Sequence, residues 1–198
     1  MSHLEVLESE LRIFHLDLPS DQKLALARYC DELVRWNAKM NLTGLTGVPM
    51  VRRLVIEPVW VGLQLKPAGV LADIGSGNGS PAIPLHLISP LDKTHLIEVR
   101  AKRAAFLRHL RTSLGLSKLI IHRGRFEDVA SSLGIVDWIT LQGVHFSAEL
   151  LVSMRQVASP TTTIVWITSS AKAEFEPSRT LQVPITGTQV LLFRLDQS

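Results

Sequence analysis

One cysteine in 198 residues leaves this chain, whose aromatic content is only 6%, nothing from which to build a disulfide frame. Cys30 has no second cysteine to pair with, and no Cys/His spacing matches a zinc site. No apolar run reaches the roughly 20 residues that cross a bilayer. The N-terminus, with Glu5, Glu8 and Glu10, lacks the basic start and apolar core of a signal peptide. These absences predict a soluble, unprocessed chain in a reducing cytoplasm. There is also no Gly-x-Ser-x-Gly nucleophile elbow and no P-loop lysine, which removes two common catalytic plans.

What remains is an ordinary globular composition, 46% hydrophobic and 20% charged. The length suits one domain with a small extension. A formal net charge of +3 and a pI near 9.3 permit a nucleic-acid partner without requiring one.

The first third of the chain has helical periodicity. Leu4, Leu7, Leu11 and Phe14 recur three and four apart. After Pro19, Ser20 is placed to cap a second helix, whose core stripe is Leu26, Tyr29, Leu33, Trp36 and Met40. Asn41 is suited to end it, because Asn tolerates left-handed backbone. A third helical stretch runs from about Val48 to Leu65 and stops at the turn Pro67-Ala68-Gly69.

From there strands and helices alternate. Strands are expected at 70–74, 96–99, 119–122, 136–141 and 161–167, with helices at 81–88, 101–114, about 129–133 and 147–157. A final hairpin is expected from 181–185 and 190–195, turning at Thr186-Gly187-Thr188. The prediction is an α/β fold with a mainly parallel sheet, an antiparallel C-terminal hairpin and an N-terminal helical extension, divided at 1–67 and 68–198.

The chain turns on Asp73-Ile74-Gly75-Ser76-Gly77-Asn78-Gly79-Ser80-Pro81, an apolar strand that ends in an acid and breaks into alternating glycines. Such a loop lets backbone N–H groups approach a ligand. A dinucleotide fingerprint would need glycine at position 80, where Ser80 stands. Asp-x-Gly-x-Gly-x-Gly better suits a ligand without pyrophosphate, such as S-adenosylmethionine. A tight turn that binds nothing is the third reading.

Ligands of open parallel sheets bind beyond the carboxyl ends of the strands. Glu98, about 23 residues after Gly75, is placed to accept from both ribose hydroxyls of an adenosine, or else to pair with Arg100 or Lys102. Phe126 and Glu127 suit an adenine ring, or else core packing and helix capping. His86, His109 and His122 have no recognisable partner and are expected on the surface.

With these residues in view, the chain resembles the class I S-adenosylmethionine methyltransferases, with their Rossmann-like fold. More narrowly it resembles the bacterial 16S ribosomal RNA guanine-N7 methyltransferases, also called glucose-inhibited division protein B. The resemblance rests on Trp36-Asn37, Asn41-Leu42-Thr43, the Asp73–Pro81 loop with Ile83-Pro84-Leu85, Glu98, Lys102-Arg103, Phe106-Leu107, Arg125, Glu127 and Asp137. It implies a monomeric enzyme that uses S-adenosyl-L-methionine and acts on the small ribosomal subunit, without a membrane.

It also implies a cofactor set of Asp73, Gly75, Gly77, Gly79, Ser80, Glu98, Phe126, Glu127 and Gln142, with Gly75 and Ser80 at the amino-acid end and Asn41 positioning the acceptor. Five positions depart from the family pattern. Gln142 stands where an arginine is usual, Leu54 follows Arg53 in place of a histidine, Thr168 replaces a lysine, and Thr188-Gln189 replaces Arg-His. Each lost cation weakens phosphate affinity, so altered, weakened or lost ribosomal RNA activity, or a different substrate, is the alternative expectation.

Overall fold

The computed structural model describes residues 1–169 and 175–195. Seven strands form one sheet: β1 (Gly69–Ile74), β2 (Leu91–Glu98), β3 (Leu119–Arg123), β4 (Val136–Gln142), β5 (Ala158–Thr168), β6 (Arg179–Gln182) and β7 (Gln189–Arg194). Their order is β3-β2-β1-β4-β5-β7-β6. The first five are parallel, and β7 inserts antiparallel between β5 and β6. Strand order reverses between β1 and β4, which opens the crevice beyond their carboxyl ends.

Two apolar clusters cover the sheet. One is built from α1 (His3–Ile13), α2 (Ser20–Met40), α3 (Gly47–Val51), α4 (Glu57–Leu65), α5 (Ala82–Ile88) and α6 (Ala101–Ser113), with Leu71, Leu96, Leu119 and Val165 from the strands. The other joins α7 (Phe126–Leu133) and α8 (Ala148–Met154) to Ala72, Ile97, Ile139 and Ile164. Alternate residues of neighbouring strands thus serve opposite layers, as the period of two demands.

Several boundaries differ from expectation for local reasons. Ser20 is the first residue of α2, and Pro19 occupies the cap position without a side-chain bond. β2 begins at Leu91, hidden in the sequence by exposed Asp92 and Lys93, and ends at Glu98 so that Val99 is exposed. The hairpin pairs Arg179–Gln182 with Gln189–Leu192, and Val183 to Thr188 make the turn. α8 starts after Ser147, whose hydroxyl caps Leu150 N–H at 3.3 Å.

The third helical stretch is continuous but changes pitch. Residues Arg52–Ile56 are π-helical, with the Glu57 N–H reaching Arg52 O. Pro58 has no N–H to offer the carbonyl of Leu54, so the ordinary i−4 bond cannot form there.

The histidines are not the bare surface residues expected. His109 Nε2 sits 2.6 Å from Glu32 Oε2, and His86 Nδ1 2.8 Å from Thr94 Oγ1. His95 Nδ1 and His122 Nε2 lie 2.9 Å apart across β2 and β3. Burial lowers the pKa of both His86 and His95 to about 4. Their partners lie on neighbouring elements, which no spacing in sequence reveals.

Candidate functional site

β1 ends at Asp73 and Ile74, and the chain turns at Gly75 with φ +74°. The turn is clamped to β2: the N–H groups of Gly75 and Ser76 both donate to Ile97 O, at 2.9 and 3.0 Å. A Cβ on Gly75 would lie 2.5 Å from Val144 Cγ2, so glycine is required both by φ and by the loop packed over it.

Asp73 is buried beneath this turn. Its Oδ1 accepts from Thr140 Oγ1 at 2.6 Å, and its backbone carbonyl accepts from Ser76 Oγ at 3.0 Å. Oδ2 has no partner among the described residues. Burial raises its pKa from 3.8 to about 6 against the opposing hydrogen bonds, so the carboxylate is ionised at pH 7 but held in a costly place. A buried acceptor oxygen without a partner, directly beneath a glycine turn, is a feature that functional sites favour.

Glu98 is not the solvent-facing ion pair that its strand-end position allowed. It is 4% exposed, with Oε2 accepting from Gly77 N–H at 2.9 Å and Oε1 from Arg100 N–H at 2.7 Å. Two main-chain donors therefore hold the carboxylate on the rim of the glycine turn.

Two clefts meet at Gly75. The first, about 320 Å³, is lined by Gly75, Ser76, Gly77, Asn78, Ser80, Gln142 and Gly143, with Arg103 from α6 and with Leu42, Leu45, Arg53 and Leu54 from the N-terminal third. The second, about 380 Å³, is lined by Gly75, Glu98, Phe126 and Glu127 among others, with Val144 and His145 on its far side. The first is neutral along its Ser80–Gln142 wall, where Ser80 Oγ donates to Gln142 Oε1 at 3.2 Å. The second has an apolar floor at Phe126 and a carboxylate at Glu98. An elongated ligand with one flat apolar end and one polar end matches this pair.

The sequence-derived residues fall into three groups. Gly75, Gly77, Ser80 and Gln142 line the first cleft, and Gly75, Glu98, Phe126 and Glu127 the second. Asp73 and Gly79 lie under the loop. A Cβ on Gly79 would meet Ile83 Cγ1 at 2.8 Å, and so this glycine serves close packing against α5. Asn41 is the left-handed C-cap of α2, exposed, and lines neither cleft.

Its neighbour Asn37 has a clearer task. The Asn37 side chain accepts from the N–H groups of Leu42 and Thr43 at 2.6 and 2.9 Å and donates to Thr43 O at 2.9 Å. It thereby fixes the turn that presents Leu42 and Leu45. Tyr29, fully buried on the same helix, donates its hydroxyl to Asn78 O at 3.0 Å and ties α2 to the glycine turn.

Arg53 and Arg103 were missed as site residues. Arg53 is delivered by the π-helical turn. Its Nη1 pairs with Glu57 Oε2 and donates to Thr188 Oγ1 at 2.7 Å, while Thr188 Oγ1 donates to Glu57 Oε1 at 3.0 Å. Only the Lys102-Arg103 doublet, noted as part of the resemblance, pointed toward the second arginine.

This geometry has known relatives. Residues 22–189 match the family model of rRNA small subunit methyltransferase G. The chain belongs to this family. A member from Wolinella succinogenes, named ribosomal RNA small subunit methyltransferase G, is 34% identical over 160 residues, covering 81% of this chain and 82% of that one.

Solved structures agree on the fold. A putative O-methyltransferase from Klebsiella pneumoniae superposes with a TM-score of 0.65 at 16% identity, over 97% of each chain. An RNA methyltransferase from Salinibacter ruber, solved in complex with S-adenosyl-L-homocysteine, gives 0.53 at 21% identity, over 78% of this chain and 95% of that one. The seven-stranded sheet of this family member thus has the Rossmann-like fold of those methyltransferases. Among its described residues no helix is long and apolar enough to cross a membrane.

Proposed function

We propose that this chain is an S-adenosylmethionine-dependent methyltransferase that acts on guanine N7 of small-subunit ribosomal RNA. The observation that carries the reading is the meeting of two clefts at Gly75, beyond the carboxyl ends of β1 and β4, with Glu98 on one side and the Ser80–Gln142 wall on the other. Membership of a family named for small-subunit rRNA methylation supports the acceptor.

When bound, S-adenosylmethionine supplies an electrophilic methyl group on a sulfonium. The residues of the chain bind, orient and shield. Phe126 and Glu127 grip the adenine, Glu98 accepts from the ribose hydroxyls, and Gly75, Gly77 and Ser80 receive the amino-acid end. Asp73, under the turn, places negative charge near a cationic ligand. Guanine N7 carries an in-plane lone pair and no proton, so no general base is needed. The task left to the protein is to hold the acceptor in line and exclude water.

The 1–67 segment supplies the acceptor side. Leu42, Leu45 and Leu54 make an apolar wall suited to the face of a base, and Arg53 borders it. Asn41 shapes this wall through the backbone turn rather than by direct contact.

The test is transfer of radiolabelled methyl from S-adenosylmethionine to small subunits that lack the mark, followed by nucleoside digestion. The expected product is 7-methylguanosine in 16S RNA. Binding of the cofactor without transfer to small subunits would favour a second reading, a divergent relative with another acceptor. That reading draws on Arg53, whose charge is already matched by Glu57, and on Gln142 in place of an arginine.

A further inference from the structure

Two cations line the first cleft, and they differ in what surrounds them. Arg53 is matched by buried Glu57 and fixed by Thr188. Arg103, half-buried on the first turns of α6, has no ion pair or hydrogen bond among the described residues. Its Nη1 lies 3.5 Å from the position a Cβ on Gly77 would take, so the guanidinium overlies the glycine turn itself.

Gly77 also donates its N–H to Glu98 Oε2. A carboxylate facing the second cleft and a guanidinium facing the first therefore flank the same residue. Along the groove the charge runs from the Glu98 carboxylate, past Asp73 beneath the turn, to the Arg103 guanidinium. The far wall of the first cleft, Ser80 with Gln142, is neutral and internally bonded. Arg103 is the one lining cation of that cleft whose charge is unmatched among the described residues.

A half-buried guanidinium without a counter-ion calls for an anion, and its planar fork matches a carboxylate in two parallel bonds. We infer that Arg103 binds the α-carboxylate at the methionyl end of the cofactor. The inference rests on the cofactor reading above and adds the residue that recognises the one anionic group of that ligand. The positive sulfonium and ammonium then fall on the side of Asp73 and Glu98, away from the guanidinium.

The test compares two ligands that differ in that group. S-adenosylhomocysteine carries the carboxylate; 5′-methylthioadenosine keeps the adenosine and thioether but has no amino-acid end. Calorimetry with both is run on the full chain, on Arg103→Gln and on Arg103→Lys, with circular dichroism to check the fold. The expected result is that Arg103→Gln binds S-adenosylhomocysteine about 10- to 100-fold more weakly, the scale of one charge-assisted bidentate contact. Affinity for 5′-methylthioadenosine stays within about twofold, and Arg103→Lys falls between.

Equal weakening of both ligands would mean a structural role and overturns the assignment. Unchanged S-adenosylhomocysteine affinity with weakened binding to small ribosomal subunits overturns it too, by giving Arg103 to an RNA phosphate. If the full chain binds neither adenosine ligand, the cofactor reading itself fails.

Discussion

Replacing Asp73 with Asn should stabilise the ligand-free protein at neutral pH, although it sits in the heart of the fold. The carboxyl is fully buried, has one bonded and one partnerless oxygen, and burial raises its pKa from 3.8 to about 6. A raised acid binds protons more tightly folded than unfolded, so stability falls as pH rises through that interval. The interval, at about 1.4 kcal/mol per pH unit, amounts to about 3 kcal/mol at pH 7.5, half of it lost between about pH 5 and 7.5. Asn removes the charge and keeps the size.

The neutral histidines act the other way. His86 and His95, lowered to about 4, favour the folded state increasingly as pH rises from 4 to 6.5. The informative quantity is therefore the difference between wild type and Asp73→Asn in urea titrations at pH 5 and pH 7.5. The variant should gain on the wild type by about 1 to 2 kcal/mol over that span. A difference that does not change with pH would refute the raised carboxyl. The same substitution should weaken S-adenosylmethionine binding, since it removes a negative charge from beside a cationic ligand.

Glu98→Ala should reduce S-adenosylhomocysteine affinity roughly 10- to 100-fold by calorimetry, because it removes a charged acceptor and unties Gly77; unchanged affinity would leave Glu98 a clamp on the loop alone. Gly75→Ala should lower stability by about 1–3 kcal/mol, from positive φ and the contact with Val144. Adding Val144→Ala should recover only part in a thermal melt, since the backbone strain stays. Thr188→Val leaves Glu57 Oε1 without its donor and should cost about 1–3 kcal/mol in urea titration, while methylthioadenosine affinity stays unchanged because Thr188 lies outside the second cleft.

The glycine turn and the second cleft were legible because their residues are nearly consecutive and their types are constrained by geometry. A strand running into Asp73 and three spaced glycines has few alternative uses, and Glu98 ends the next strand in register beside it. Spacing also caught the amphipathic stripe of α2. The opposite wall of the first cleft was less legible. Leu42 and the Arg53-Leu54 pair stood out only as places in a family pattern and Leu45 not at all, because only tertiary packing brings them to the glycine turn. The π-helical turn behind Arg53 depends on a proline five residues later, and Thr140 meets Asp73 only through strand register. Asn37 and Asn41 show the limit of a motif: the pattern singled out both, yet the structure makes one a backbone clamp and the other a helix cap.

The bond from Arg53 to Thr188 spans 135 residues of sequence. Everything lining the second cleft lies between Ile74 and Leu150, whereas Thr188, one of the two partners of Arg53, stands in the turn that leads into β7 beside β5. During synthesis, then, Arg53 can meet Glu57 at once, and the residues of the second cleft are all made, well before Thr188 arrives. A chain cut just before Thr188 would keep the Arg53–Glu57 pair and lose the hydroxyl that bridges the two, so the hairpin turn sets how firmly that arginine is held beside the first cleft.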